Sequence, residues 1–91
     1  MFAKGSKKGT VSFTVKPQAA PKKVMLAGDF NKWQPVPMKK QKDGSFSAVV
    51  TLAPGTYEYK FVIDDQWVVD PDNSVWAVNN YGTLNSVAQI S

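Results

Sequence analysis

The feature that most constrains this chain is its hydrophobic period. Apolar residues alternate with polar ones, and nowhere do they recur at the spacing of three and four that an amphipathic helix needs. In residues 10–15, Val11, Phe13 and Val15 fall on one face. In 46–52, Phe46, Ala48, Val50 and Leu52 do the same. In 56–63, Tyr57, Tyr59, Phe61 and Ile63 point inward while Glu58, Lys60 and Val62 point out. Further strands are expected over 22–28, with Val24 and Leu26 opposite Met25 and Ala27 in facing, and over 39–41, 66–69 and 84–90. Turn chemistry separates them: Asp43-Gly44, Pro54-Gly55 and Asp64-Asp65 are tight-turn pairs, and Pro17 and Pro21 bracket a loop. An aromatic loop fills 29–37 and a long loop fills 70–82. Six to eight short antiparallel strands without a helix describe a β-sandwich or barrel. The expected core is Val11, Phe13, Val24, Leu26, Phe46, Ala48, Val50, Tyr59, Phe61 and Val87.

Ninety-one residues hold one such core. Residues 1–9 are expected to form a flexible basic tail, and 10–91 the domain, which fits a free-standing protein and a fragment of a larger enzyme equally. No apolar stretch is long enough to cross a membrane as a helix, and no apolar segment follows the first lysines, so the expected setting is cytoplasmic, away from membranes. With no cysteine and no histidine, Ser–His and Cys–His hydrolases are excluded and a zinc enzyme is disfavoured. An independent enzyme is not expected, and no cofactor is. Asp64 with Asp65, and Asp70 with Asp72, read as turns rather than as a glycosidase pair. The run from Asp70 lacks the glycine and glutamate of a calcium loop.

The charge is lopsided. Residues 1–42 carry ten lysines against Asp29 alone, and the remainder carries Lys60 against six acids. All eleven cations are lysine. Nucleic-acid readers lean on the bidentate guanidinium, so a nucleic-acid partner is not expected. A lysine-driven nucleic-acid binder would betray itself by steep salt dependence.

Six ordered blocks carry a specific pattern: 24–33 (VMLAGDFNKW) followed by Pro37-Met38; 43–46 (DGSF); 52–61 (LAPGTYEYKF); 64–67 (DDQW); Asp70-Pro71; and 82–87 (GTLNSV). Over residues 10–91 the chain resembles carbohydrate-binding module family 48. That family includes the glycogen-binding domain of the AMP-activated protein kinase beta subunit and the N-terminal domains of isoamylases and branching enzymes. The resemblance implies an early-set, immunoglobulin-like antiparallel β-sandwich. It also implies non-catalytic binding of α-1,4-glucans such as glycogen, starch and maltooligosaccharides. By the same resemblance Trp33 and Trp67 correspond to the sugar-stacking pair, Lys60 to the hydroxyl-binding lysine, and Thr83 and Asn85 to the polar pair of the Gly-Thr-x-Asn block. Tyr81 stands where the kinase-subunit domains commonly place leucine, and the 70–82 loop is one residue longer and carries Trp76.

A glucan is uncharged, with flat C–H faces and a rim of hydroxyls; indoles cover the first and fixed donors and acceptors serve the second. Each candidate has a plainer alternative. Trp33 could be a loop plug, Trp67 a core tryptophan, Lys60 a cross-strand partner of Glu58 or an aspartate, and Asn85 a strand-entry cap. Thr83, Tyr81 and Trp76 carry less. The alternative function is a regulatory module docking on a glucan-metabolising enzyme or a kinase, with sugar binding secondary.

Overall fold

The structure, a computed structural model, describes residues 1–5, 7–17 and 21–90. Two antiparallel sheets face each other. The smaller runs β1 (Phe2–Lys4), β2 (Thr10–Val15), β6 (Phe46–Thr51), β5 (Lys39–Lys40) in spatial order. The larger runs β4 (Val36–Pro37), β3 (Val24–Gly28), β7 (Gly55–Ile63), β10 (Leu84–Ile90), β9 (Trp76–Val78), with β8 (Gln66–Val68) also on β7. The sole helical element among the described residues is a 3-10 turn, Asp29–Asn31. This is a β-sandwich, one of the two architectures the alternation allows and the one the family resemblance implies. β1, β4 and β9 raise the number of strands among the described residues to ten; at two or three residues each they are too short to show a period.

Alternation sorts the side chains as expected. Val11, Phe13 and Val15 of β2 meet Val24 and Leu26 of β3 and Tyr59 and Phe61 of β7, all buried, with Phe46, Leu52, Met38 and Ala88 completing the cluster. Burying one such side chain contributes about 1.5–3 kcal/mol. Phe13 and Tyr59 pack edge to face at 4.9 Å. Ala48 and Val50 are half-buried against this cluster. Val87 is buried, but it pairs with Glu58 on the outer face and lies outside the cluster. Val62 does face outward, yet it is buried there between Met25 and Trp67, its two cross-strand partners.

The start of the chain departs from the expected loose tail. Residues 2–4 pair with β2, Phe2 opposite Phe13, and the Phe2 ring packs 6.3 Å from both Phe13 and Tyr59. One apolar side chain reaching the core edge outweighs the fraying that the neighbouring lysines suggest.

Asp70 also does more than turn the chain. It is 1% exposed; its main-chain N–H donates to Ser86 Oγ at 2.7 Å, and its carboxylate accepts the Tyr59 hydroxyl at 2.6 Å and pairs with the Met1 ammonium. Burial, followed by this carboxylate, pushes the Tyr59 hydroxyl far above the ordinary phenol range.

Candidate carbohydrate-binding site

The topology of β7 creates the site. β3 pairs with Tyr59–Ile63 along one edge, while β10 takes Gly55–Tyr59 and β8 takes Phe61–Ile63 along the other. β8 and β10 therefore meet end to end beside Lys60, whose side chain stands on the outer face. The β7–β8 connection is the two-residue turn Asp64-Asp65, with φ of 48° and 69°. Two consecutive positive φ values match a type I′ hairpin and fix Val62 opposite Trp67. Asp64 Oδ1 accepts the main-chain N–H groups of Lys22 and Lys23, each at 3.0 Å, so this carboxylate is a brace. Trp67 stands 47% exposed on the outer face.

Trp33 arrives from the other side of β7. Phe30 turns inward, 5.2 Å from Phe13, and anchors the loop. Asn31 Oδ1 accepts the Gly28 N–H at 2.9 Å, its Nδ2 donates to the Leu26 carbonyl, and the Trp33 N–H closes onto the Gly28 carbonyl at 2.9 Å. Lys32 and Trp33 both sit in the left-handed region, at φ 57° and 60°. That costs on the order of 1 kcal/mol or more for each residue. Asp29 helps hold it: Oδ1 takes the Trp33 indole N–H at 2.9 Å and Oδ2 takes the Glu58 main-chain N–H at 2.8 Å. Only glycine fits at position 28, since a Cβ there would lie 2.7 Å from both the Glu58 carbonyl oxygen and the Phe30 ring.

The two indoles end 6.5 Å apart, inclined at 38°. Below them a hydrogen-bonded rim crosses to β10. Lys60 Nζ donates to Thr83 Oγ1 at 3.2 Å. Asn85, 6% exposed, accepts from Asn79 Nδ2 at 3.0 Å and donates to Glu58 Oε1 at 3.0 Å. Tyr81, 91% exposed, stands at the tip of the β9–β10 loop. Trp33, Lys60, Trp67, Tyr81, Thr83 and Asn85 all line one open groove of about 820 Å³, with Asp29, Glu58, Val78, Asn79 and Asn80. Asn85 is thus neither a strand cap nor freely exposed; it is a half-committed amide in the groove wall. Trp76 lies outside the groove, 53% exposed, with its indole N–H on the Asn73 carbonyl at 3.0 Å.

Sequence reasoning missed Asp29, Glu58 and Asn79. Asp29 acts on a partner 29 residues away, which no local pattern reveals. Asn79-Asn80-Tyr81-Gly82 does carry turn composition that could have marked the loop. The groove contains two carboxylates and one lysine, so the other ten lysines lie outside it. Among the described residues no cluster of His, Cys, Asp and Glu could hold a metal. Two exposed indoles beside a rim of ammonium, hydroxyl and amide groups can cover flat apolar rings and exchange hydrogen bonds with a neutral, hydroxyl-rich partner.

Several known proteins are similar to this chain in sequence or in shape. The AMP-activated protein kinase subunit beta-1 of Sus scrofa is 36% identical over 69 residues, 76% of this chain and 55% of that protein. Protein PTST homolog 2, chloroplastic, of Arabidopsis thaliana is 47% identical over 69 residues, 75% of this chain and 13% of that protein. The crystal structure of a maltogenic amylase from S. marinus superposes with a TM-score of 0.75 at 30% identity, covering 90% of this chain and 13% of the amylase. The chain therefore spans about half the length of the pig relative and a small part of the other two. The family profile described as the glycogen recognition site of AMP-activated protein kinase matches residues 11–91, and the chain belongs to that family.

Proposed function

We propose that this chain is a non-catalytic carbohydrate-binding module that holds α-1,4-glucans in the groove between β8 and the β9–β10 loop. The observation that carries the reading is the inclined Trp33–Trp67 pair above the Lys60–Thr83 rim. Two platforms set at an angle suit the curved face of an α-glucan better than a flat one. Lys60, Thr83 and Asn85 then serve the sugar hydroxyls, and Tyr81 covers the chain from the loop tip. The near-balanced charge of the groove fits a neutral ligand and not a polyanion. Hydrolysis is not part of the reading: of the groove carboxylates, Asp29 has both oxygens on the Trp33 and Glu58 N–H groups, and Glu58 accepts the Asn85 amide at Oε1.

The comparisons support the reading: the family is described as the glycogen recognition site of AMP-activated protein kinase, one relative is a subunit of such a kinase, and one structural neighbour is a maltogenic amylase. No described helix is long and apolar enough to cross a membrane. The cytoplasm is the proposed setting, and the chloroplast protein among the relatives extends it to the plastid interior. The second reading, a regulatory module docking on a glucan-metabolising enzyme or a kinase with sugar binding secondary, is favoured by the kinase beta subunits among the relatives.

The test is tryptophan fluorescence titrated with maltoheptaose, β-cyclodextrin and a cellulose oligomer. Saturable binding of the first two is expected, with affinity on the order of micromolar to millimolar for a shallow site. A flat response to both α-glucans would overturn the proposal.

A further inference from the structure

We infer that Asn79 is the positioning residue of this groove, and that it makes the Thr83 hydroxyl an obligate donor toward the ligand. A carboxamide offers two N–H donors and two lone pairs. At Asn79 all four are engaged within the protein. Oδ1 accepts the main-chain N–H groups of Tyr81 at 2.9 Å and Thr83 at 3.1 Å; Nδ2 donates to Thr83 Oγ1 at 2.7 Å and Asn85 Oδ1 at 3.0 Å. Its main chain closes the same loop, with its N–H on the Thr83 carbonyl at 2.8 Å and its carbonyl on the Gly82 N–H at 3.1 Å. Asn79 therefore lines the groove with nothing left to offer a sugar, and acts through its neighbours.

The consequence falls on Thr83. Its hydroxyl oxygen receives both the Asn79 amide and the Lys60 ammonium, which occupies its two lone pairs. Only its O–H remains, and it points out of the Lys60–Asn79 network as a donor. Asn85, held by Asn79 on one side and Glu58 on the other, is fixed in one sense and keeps one N–H and one lone pair for ligand. Asn79 thereby sets the donor–acceptor polarity of the rim. A glucan hydroxyl must present its oxygen, not its hydrogen, to Thr83.

This inference rests on the glucan reading above, and the experiment separates the two. Maltoheptaose affinity is measured by tryptophan fluorescence for the wild type, Asn79→Asp, Thr83→Val and the double variant, with the amide NMR resonances of Tyr81 and Thr83 recorded alongside. In Asn79→Asp the oxygen that accepts both loop N–H groups persists, so those resonances stay near their wild-type positions. The new carboxylate instead captures the Thr83 O–H. The expected loss of affinity is about tenfold or more, on the scale of one or two hydrogen bonds. The double variant should bind no more weakly than the worse single one, because both changes remove the same donor. Binding by Asn79→Asp within about twofold of wild type, or losses that multiply in the double variant, overturns the inference. If Asn79→Asp does not fold, Asn79→Ala is measured instead: it frees both loop N–H groups, so the Tyr81 and Thr83 resonances move and affinity falls by about tenfold or more as the rim loses its positioning, and wild-type-like affinity there overturns the inference. A wild type that binds no maltoheptaose overturns the glucan reading itself, and this inference with it.

Discussion

Trp67 and Trp33 are held differently, and substitutions should separate them. Trp67 sits opposite buried Val62, and because it is itself about half exposed and outside the core cluster, its removal uncovers that one side chain and none of the core. Trp67→Ala should abolish most glucan binding at a stability cost of about 1 kcal/mol or less, a shift of a few degrees in the thermal midpoint. Unfolding of the variant would mean that the ring is a structural plug. Trp33→Ala should cost as much affinity, and it also frees Asp29 from one of its two bonds. Lys60→Ala should weaken maltoheptaose by about 0.5–1.5 kcal/mol in a calorimetric titration, the value of one accessible hydrogen bond. That Trp33, Lys60, Trp67, Tyr81, Thr83 and Asn85 line one groove follows the expectation drawn from the family resemblance of the blocks that hold them, and for Trp33, Trp67 and Lys60 also from the polarity and alternation of their neighbours. Asp29, Glu58 and Asn79 were not legible, because an acid or amide in a turn looks the same whether it faces water or braces a distant strand.

At the scale of elements, the long strands and their turns were readable since period and turn residues agree there. β1, β4 and β9 were hidden because a two- or three-residue edge strand is defined by what it meets. The Asp43-Gly44 turn that joins β5 to β6 carries a checkable consequence. The Ser45 hydroxyl, at 2.6 Å, and main-chain N–H, at 3.0 Å, both donate to Asp43 Oδ1, and they hold this carboxyl below the usual carboxylate range. Because the folded carboxylate is harder to protonate than the unfolded one, its support is full at neutral pH and fades as pH falls through the folded value. Asp43→Ala should therefore melt below wild type near about pH 7, and the gap between the two should narrow as the pH falls below the ordinary aspartate range in paired thermal melts. Phe2→Ala tests the edge strand β1. Losing a half-buried ring against Phe13 and Tyr59 should cost about 1–3 kcal/mol in denaturant unfolding, where a loose tail would cost nothing.

Across the whole molecule, the excess of lysine lies outside a groove whose own charges nearly cancel, so the field of the protein and the chemistry of its site are decoupled. Maltoheptaose affinity should accordingly change little between about 50 mM and 500 mM salt, whereas a polyanion held by the lysines would lose orders of magnitude. The sharper expectation concerns linkage. The two indoles are not coplanar; at 6.5 Å and 38° they form an angled wall, and the rim from Lys60 to Asn85 lies to one side of it. An α-1,4-linked chain curves, so successive sugar faces can lie on both rings while its hydroxyls stay on the rim. A β-1,4-linked chain is straight and flat, and stacking on one ring lifts it from the other. Both polymers offer the same apolar area per sugar, so area alone would not tell them apart; simultaneous contact with two fixed platforms and the rim does. Maltoheptaose should therefore bind at least about tenfold more tightly than a cellulose oligomer of equal length in parallel calorimetric titrations. Equal affinities would mean that the tryptophans act as a generic aromatic patch and that their inclination selects nothing.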